Sequence, residues 1–75
     1  MTRPLLDIAY EIRTEWTDIP YKAEPYVEAM ATMFDITDPY FLGPGAMIVR
    51  DFLKNAGQWR GKTANRVKAE LKAMI

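Results

Sequence analysis

Apolar side chains recur three and four residues apart in four separate runs of this chain, the period of an α-helix buried on one face. In the first run Leu5, Ile8, Ala9, Ile12 and Trp16 fall on one stripe. Thr2 ahead of Pro4 has the form of a helix start, an N-cap hydroxyl followed by a proline in the first turn, where its missing N–H costs nothing. The pattern predicts helix 1 to about Trp16, and Thr17-Asp18-Ile19-Pro20 then interrupts it. Pro25 places the regular part of helix 2 after Glu24, with Tyr26, Val27, Met30, Met33 and Phe34 as its stripe. Residues 35–45 gather two prolines and two glycines around Tyr40, Phe41 and Leu42, which makes the one long loop. Pro44 suits the first turn of helix 3, whose inner positions are Ile48, Val49, Phe52, Leu53 and Ala56. Asn55 and Gly57 both tolerate the left-handed conformation that closes helices and mark its end. After the short connection Gly57–Gly61, with Trp59 folded back over the core, helix 4 starts near Lys62 and turns Ala64, Val67, Leu71 and Met74 inward. No run alternates with period two for long enough to make a strand. The expected class is therefore all-α, a compact bundle or orthogonal array of about four short helices.

Composition narrows the chemistry more than the fold. The chain has 75 residues, enough for one domain spanning 1–75 and one small core, and no repeat or low-complexity linker divides it. It contains neither cysteine nor histidine. That removes disulfides, thiolate nucleophiles, zinc-finger ligands and the usual neutral-pH general base. The expectation is a non-enzyme with no cofactor and no metal. At the N-terminus Leu5-Leu6 is followed at once by Asp7, so no apolar stretch has the length of a signal peptide or a membrane span. No membrane association and a cytoplasmic location in a bacterial host cell are expected.

Charge changes the picture further. Ten basic side chains balance ten acidic ones, but the two signs are not mixed. Residues 1–38 hold three cations against eight carboxylates, a net −5, and residues 39–75 hold seven cations against two carboxylates, a net +5. Such polarity implies either elements that attract each other inside the fold or a molecule with a basic end.

Each candidate motif has a plainer competitor. Gly61-Lys62-Thr63 matches the end of a phosphate-binding loop, but the glycine required five residues before Gly61 is Ala56, and no strand precedes it. A turn followed by a helix start accounts for it better. Asp7, Glu11 and Glu15 follow one another at i, i+4 along one expected exposed face, which does not make the opposed pair that hydrolysis needs. Asp35 and Asp38 lack the alternating ligands and central glycine of a calcium loop and are expected to build turns or caps. Helix 3, the Gly57–Gly61 turn and a basic helix 4 carrying Lys62, Asn65, Arg66, Lys68 and Lys72 have the order of a helix-turn-helix. Asn and Arg read base edges and lysines neutralise phosphates, although the turn is longer than usual and the net charge is zero. Tyr10, Tyr21, Tyr40 and Phe41 lie outside the clearest stripes, and each either completes a small core or anchors a protein interface.

The strings Ile48-Val49-Arg50-Asp51-Phe52-Leu53-Lys54-Asn55-Ala56, Trp59-Arg60-Gly61, Ala64-Asn65-Arg66-Val67-Lys68-Ala69-Glu70-Leu71 and Tyr26-Val27-Glu28-Ala29-Met30 together cover about two thirds of the chain. In them the chain resembles small proteins of unassigned function encoded by bacteriophages and integrated mobile elements. The resemblance carries over no activity. It implies a setting in which small proteins act by binding a host or phage protein, including as inhibitors of host defence, or by binding operator DNA. The leading expectation is a non-enzymatic accessory protein with a protein partner, bound through Arg60, Lys62, Asn65, Arg66, Lys68 and Lys72 with Tyr40 and Phe41 as aromatic anchors. The alternatives are a small DNA-binding regulator that reads with helix 4 and a homodimer joined by its opposite charges.

Overall fold

A computed structural model describes residues 3–40 and 43–75. Among the described residues there are four helices and no strand: α1 (Leu5–Glu15), α2 (Glu24–Met30), α3 (Gly45–Lys54) and α4 (Lys62–Met74). Each packs on two neighbours, α1 on α2, α2 on α3, α3 on α4 and α4 back on α1, so that the helices close a ring. The predicted stripes supply the centre. Leu5, Ile8, Ala9, Ile12 and Trp16 from the first, Ile48, Val49, Phe52 and Ala56 from the third, and Ala64, Val67 and Leu71 from the fourth are all buried in one cluster. The second helix contributes Val27, Ala29 and Met30, with Met33 just beyond it, while Tyr26 is half-buried. Trp59 folds back as expected and stacks on Trp16, ring centroids 5.4 Å apart and planes 4° from parallel. Trp16 in turn meets Phe52 edge-on at 6.3 Å. These three rings join the end of α1 to α3 and to the turn before α4.

The helix ends differ from the expected ones. Pro4 and Pro44 are N-cap residues with extended backbone and do not sit inside the first turns, and among the described residues no helix has a side-chain N-cap. Thr2, the expected cap, lies outside the described residues, as do Phe41 and Leu42. The exposed amides of two helix starts are satisfied by a single turn. Leu5 and Leu6 N–H donate to the carbonyls of Phe34 and Met33 at 3.1 and 2.9 Å, and Gly45 and Ala46 N–H donate to those of Asp38 and Ile36 at 2.9 and 2.8 Å. Asp35 and Asp38 hold that turn, as turn builders. The Asp38 carboxylate accepts from Phe34 and Asp35 N–H, and Asp35 accepts from Ile36 N–H and the Thr37 hydroxyl.

Two expectations fail here for local reasons. Phe34 is 66% exposed, because α2 stops at Met30 and the chain has already turned to put the Phe34 carbonyl over α1. Neither Asn55 nor Gly57 is left-handed: Asn55 closes α3 at φ −105° with its side-chain amide donating to the Asp51 carbonyl, and positive φ occurs instead at Gly43 and Gly61.

Gly45 is where the turn and α3 come closest. A Cβ there would stand 2.7 Å from the Ile36 Cα and carbonyl oxygen and 2.9 Å from the Asp35 carbonyl oxygen, all of them backbone atoms. Gly45→Ala is expected to destabilise the fold by roughly 1–3 kcal/mol through overpacking. Gly57→Ala, with nothing within 4 Å of the added methyl, should be neutral or stabilising by up to about 1 kcal/mol. Urea unfolding of both variants checks the contrast.

Candidate interaction surface

The polar features of the molecule lie on its surface; among the described residues the buried set contains no polar or charged side chain. The best organised feature is an ion network between α1 and α4. Arg3, just ahead of α1, grips Glu70 of α4 with two parallel hydrogen bonds, Nε to Oε2 at 3.0 Å and Nη2 to Oε1 at 2.7 Å. The same Nη2 lies 2.8 Å from Glu11 Oε1, an ion pair without hydrogen-bond alignment, and Arg66 of α4 bonds the other Glu11 oxygen. Glu11 therefore departs from the expected solvated acidic row: it is half-buried between two guanidinium groups, which hold its carboxyl below the usual carboxylate range against the opposing effect of burial. Arg3 does the same to Glu70. Arg13 and Glu24 make a separate exposed pair at 2.9 Å between α1 and the start of α2.

That network sorts the basic residues of α4 into two sides. At 3.6 residues per turn Arg66 and Glu70 share the side next to α1, whereas Lys68 and Lys72 lie across the buried stripe on the other. Arg66 is committed to Glu11. Lys68 is half-buried and donates from Nζ to the Trp59 carbonyl at 2.5 Å; burial, with Arg60 and Lys72 nearby, lowers its pKa. Arg60, Lys62, Asn65 and Lys72 stay exposed, and among the described residues no ion pair engages the three cations of this set. Tyr40 is half-buried and packs against the core cluster, and Phe41 is outside the described residues.

The ion pairs leave the charge polarity intact. They take Arg3, Arg13, Glu11 and Glu24 from residues 1–38 and Arg66 and Glu70 from residues 39–75, equal numbers of each sign in each part. Six carboxylates against Lys22 remain in the first part, and six cations against Asp51 in the second.

Two surface hollows were not legible in the sequence. One, of about 510 Å³, lies between the start of α1, the 34–36 turn and the end of α4, with Phe34, Ile36 and Met74 in its wall. The other, of about 390 Å³, runs along the outer side of α1 beside Asp7, Tyr10 and Glu15. Tyr10, 75% exposed, and Tyr21, 81% exposed, are the tyrosines that face solvent most openly. Their place outside the apolar stripes was the available signal. No group of three or more Asp or Glu among the described residues is arranged to share a metal ion, and no helix there is long and apolar enough to cross a membrane.

The network makes stability depend on acid. Above about pH 4.5 Glu11 and Glu70 are ionised whether the chain is folded or not, so their contribution is fully present. As pH falls below that value the unfolded chain takes up protons first, and the contribution is lost through the depressed folded-state range. Arg3→Gln is expected to cost on the order of 1 kcal/mol at neutral pH, the scale of a partly exposed network, and to flatten the fall in stability below about pH 4.5. Thermal melts across that range compare the two proteins.

Comparison with known proteins finds no matching family model, no similar curated sequence and no similar solved structure.

Proposed function

We propose that this chain is a non-enzymatic binding protein, an accessory protein of the phage or mobile-element kind, whose partner is a host or phage protein with an acidic surface. The observation that carries the reading is the polarity left over after folding. A fold that used its opposite charges internally would pair them across its halves in excess, and this one does not: among the described residues Arg50, Lys54, Arg60, Lys62 and Lys72 stand without ion-pair partners. Fields of this kind steer association with an oppositely charged surface. The phage setting rests on the resemblance of the Trp59-Arg60-Gly61 turn and its flanking helices, with inhibition of a host defence among the roles that setting offers. The absence of cysteine and histidine from the sequence supports a role without catalysis.

A protein partner is favoured over DNA by what α4 has already committed. Arg66 and Lys68, two of the side chains a recognition helix would bring to bases or phosphates, are bonded to Glu11 and to the Trp59 carbonyl. Seven residues separate α3 from α4, against the three or four of a usual helix-turn-helix.

The partner is expected to be captured from host or phage extract by the wild-type chain at low salt and lost by Lys62→Glu/Lys72→Glu, which alters only exposed positions. In parallel, titration with random duplex DNA should give no micromolar binding at low salt. Micromolar affinity that falls steeply as salt is added would overturn the protein reading in favour of a DNA-binding regulator, since counterion release sets that slope.

A further inference from the structure

Three cations gather where the turn before α4 passes the side of that helix. Lys68 donates from Nζ to the Trp59 carbonyl at 2.5 Å, so its ammonium lies beside the peptide that leads into Arg60. Lys72 follows Lys68 by four residues and Asn65 precedes it by three, which at 3.6 residues per turn puts all three on one side of α4. Half-burial, and then the charges of Arg60 and Lys72, lower the Lys68 pKa, so both neighbours are close enough to repel it. Among the described residues no ion pair engages Arg60, Lys68 or Lys72. Lys62 is not a member of this group: it lies one turn from Arg66, on the side where Arg66 meets Glu11.

Like charges on one patch, one of them partly withdrawn from water, repel until an anion lies among them. The donors are also held in place. The Trp59 carbonyl takes one of the three ammonium protons of Lys68 and leaves two. The hydrogen bond that stops Lys68 from extending to a base or a nucleic-acid backbone thus fixes its ammonium for a small group that comes to it, with less side-chain freedom to lose. Trp59 is itself fixed by its stack on Trp16. An arginine at position 60 brings the fork of N–H donors that fits an oxyanion, and Asn65 adds a neutral amide. A carboxylate has one charge and two oxygens, whereas a phosphate monoester has about two charges and three acceptor oxygens. The second matches three cations better.

We infer that Arg60, Lys68 and Lys72, with the Asn65 amide, form a site for a phosphate monoester group. A phosphorylated side chain of a protein and a free phosphate ester both carry that group. The first source deepens the protein-partner reading and rests on it; the site itself does not.

Heteronuclear NMR of the full chain, at about pH 7.5 where the group is dianionic and at constant low ionic strength, reads binding residue by residue. Titration with inorganic phosphate, and separately with a neutral peptide bearing one phosphoserine, is expected to shift the signals of Arg60, Lys68 and Lys72 saturably, half-complete on the order of 1 mM or below. Arg60→Gln and Lys72→Gln, both at exposed positions, should each weaken binding by about fivefold or more. Lys62→Gln removes the same charge from the other side of α4 and should bind as the wild type does; circular dichroism confirms that all three variants are helical. A peptide that binds tighter than inorganic phosphate supports the site with a phosphorylated protein as the source, and inorganic phosphate that binds as tightly or tighter supports it with a free ester. Shifts that do not saturate, or that spread evenly over all the cations of the chain, overturn the inference. So does equal binding of the unphosphorylated peptide, or a loss with Lys62→Gln as large as with Lys72→Gln. None of these results decides the protein-partner reading, which stands or falls on capture of an acidic partner and its loss in Lys62→Glu/Lys72→Glu.

Discussion

Two helix starts and one turn share a single set of backbone hydrogen bonds, and the rest of the molecule is arranged around that sharing. The first amides of α1 and of α3 have no partners within their own helices, and no side chain among the described residues caps them. The carbonyls of residues 33, 34, 36 and 38 accept all four of the amides that the turn reaches. The turn must therefore lie against both helix starts at once, which ties the starts of α1 and α3 to one segment although the two helices do not pack on each other. Asp35 and Asp38 hold its shape from within, and Gly45 leaves the space in which α3 can approach it. Leaving such amides without acceptors in a chain this small would remove a large share of its stability.

At the other end of the ring the aromatic cluster does the corresponding work. Trp16 ends α1, Trp59 lies in the turn before α4, and Phe52 comes from α3; their contacts fix where α4 begins and thus the rotation of its charged sides. With that rotation set, Glu70 and Arg66 meet Arg3 and Glu11, and Lys72 does not. The ion network is a consequence of packing, and it contributes orientation more than energy because its members stay partly in water. Its effect on the surface is subtractive: it engages Arg66 and leaves Arg60, Lys62 and Lys72 as the exposed cations of α4 and the turn before it.

Much of the fold was legible from residue spacing. The stripes of α1, α3 and α4 supply the buried residues, with Leu53 and Met74 only partly buried at their margins; the break at Thr17 to Pro20 and the start of α2 at Glu24 fall where proline spacing puts them, and Trp59 returns to the core. What spacing misplaced lies at helix ends. Phe34 continues the period of helix 2 on paper, yet its helix has stopped, and the side chain faces solvent. Ala23 and Ala29 are buried at positions that small side chains do not advertise. The candidate surface was legible only as a composition. The sequence contains the basic residues of helix 4, but Arg66, Lys68 and Lys72 look alike there, and Glu11 looks like one more member of an exposed acidic row.

The helices, their inner faces, the lack of cysteine and histidine and the opposite charge of the two halves follow from the sequence alone, because each of these is local or additive along the chain. Only the tertiary structure decided which charges are satisfied. A salt bridge such as Arg66 with Glu11 joins residues 55 positions apart, and its formation depends on the angle at which α4 lies across α1. The stacking of Trp59 on Trp16 ties the turn before α4 to the end of α1, and the turn after α2 ties the starts of α1 and α3 together. Neither has a counterpart in the periodicity of a single segment, and both are needed to tell a committed cation from a free one.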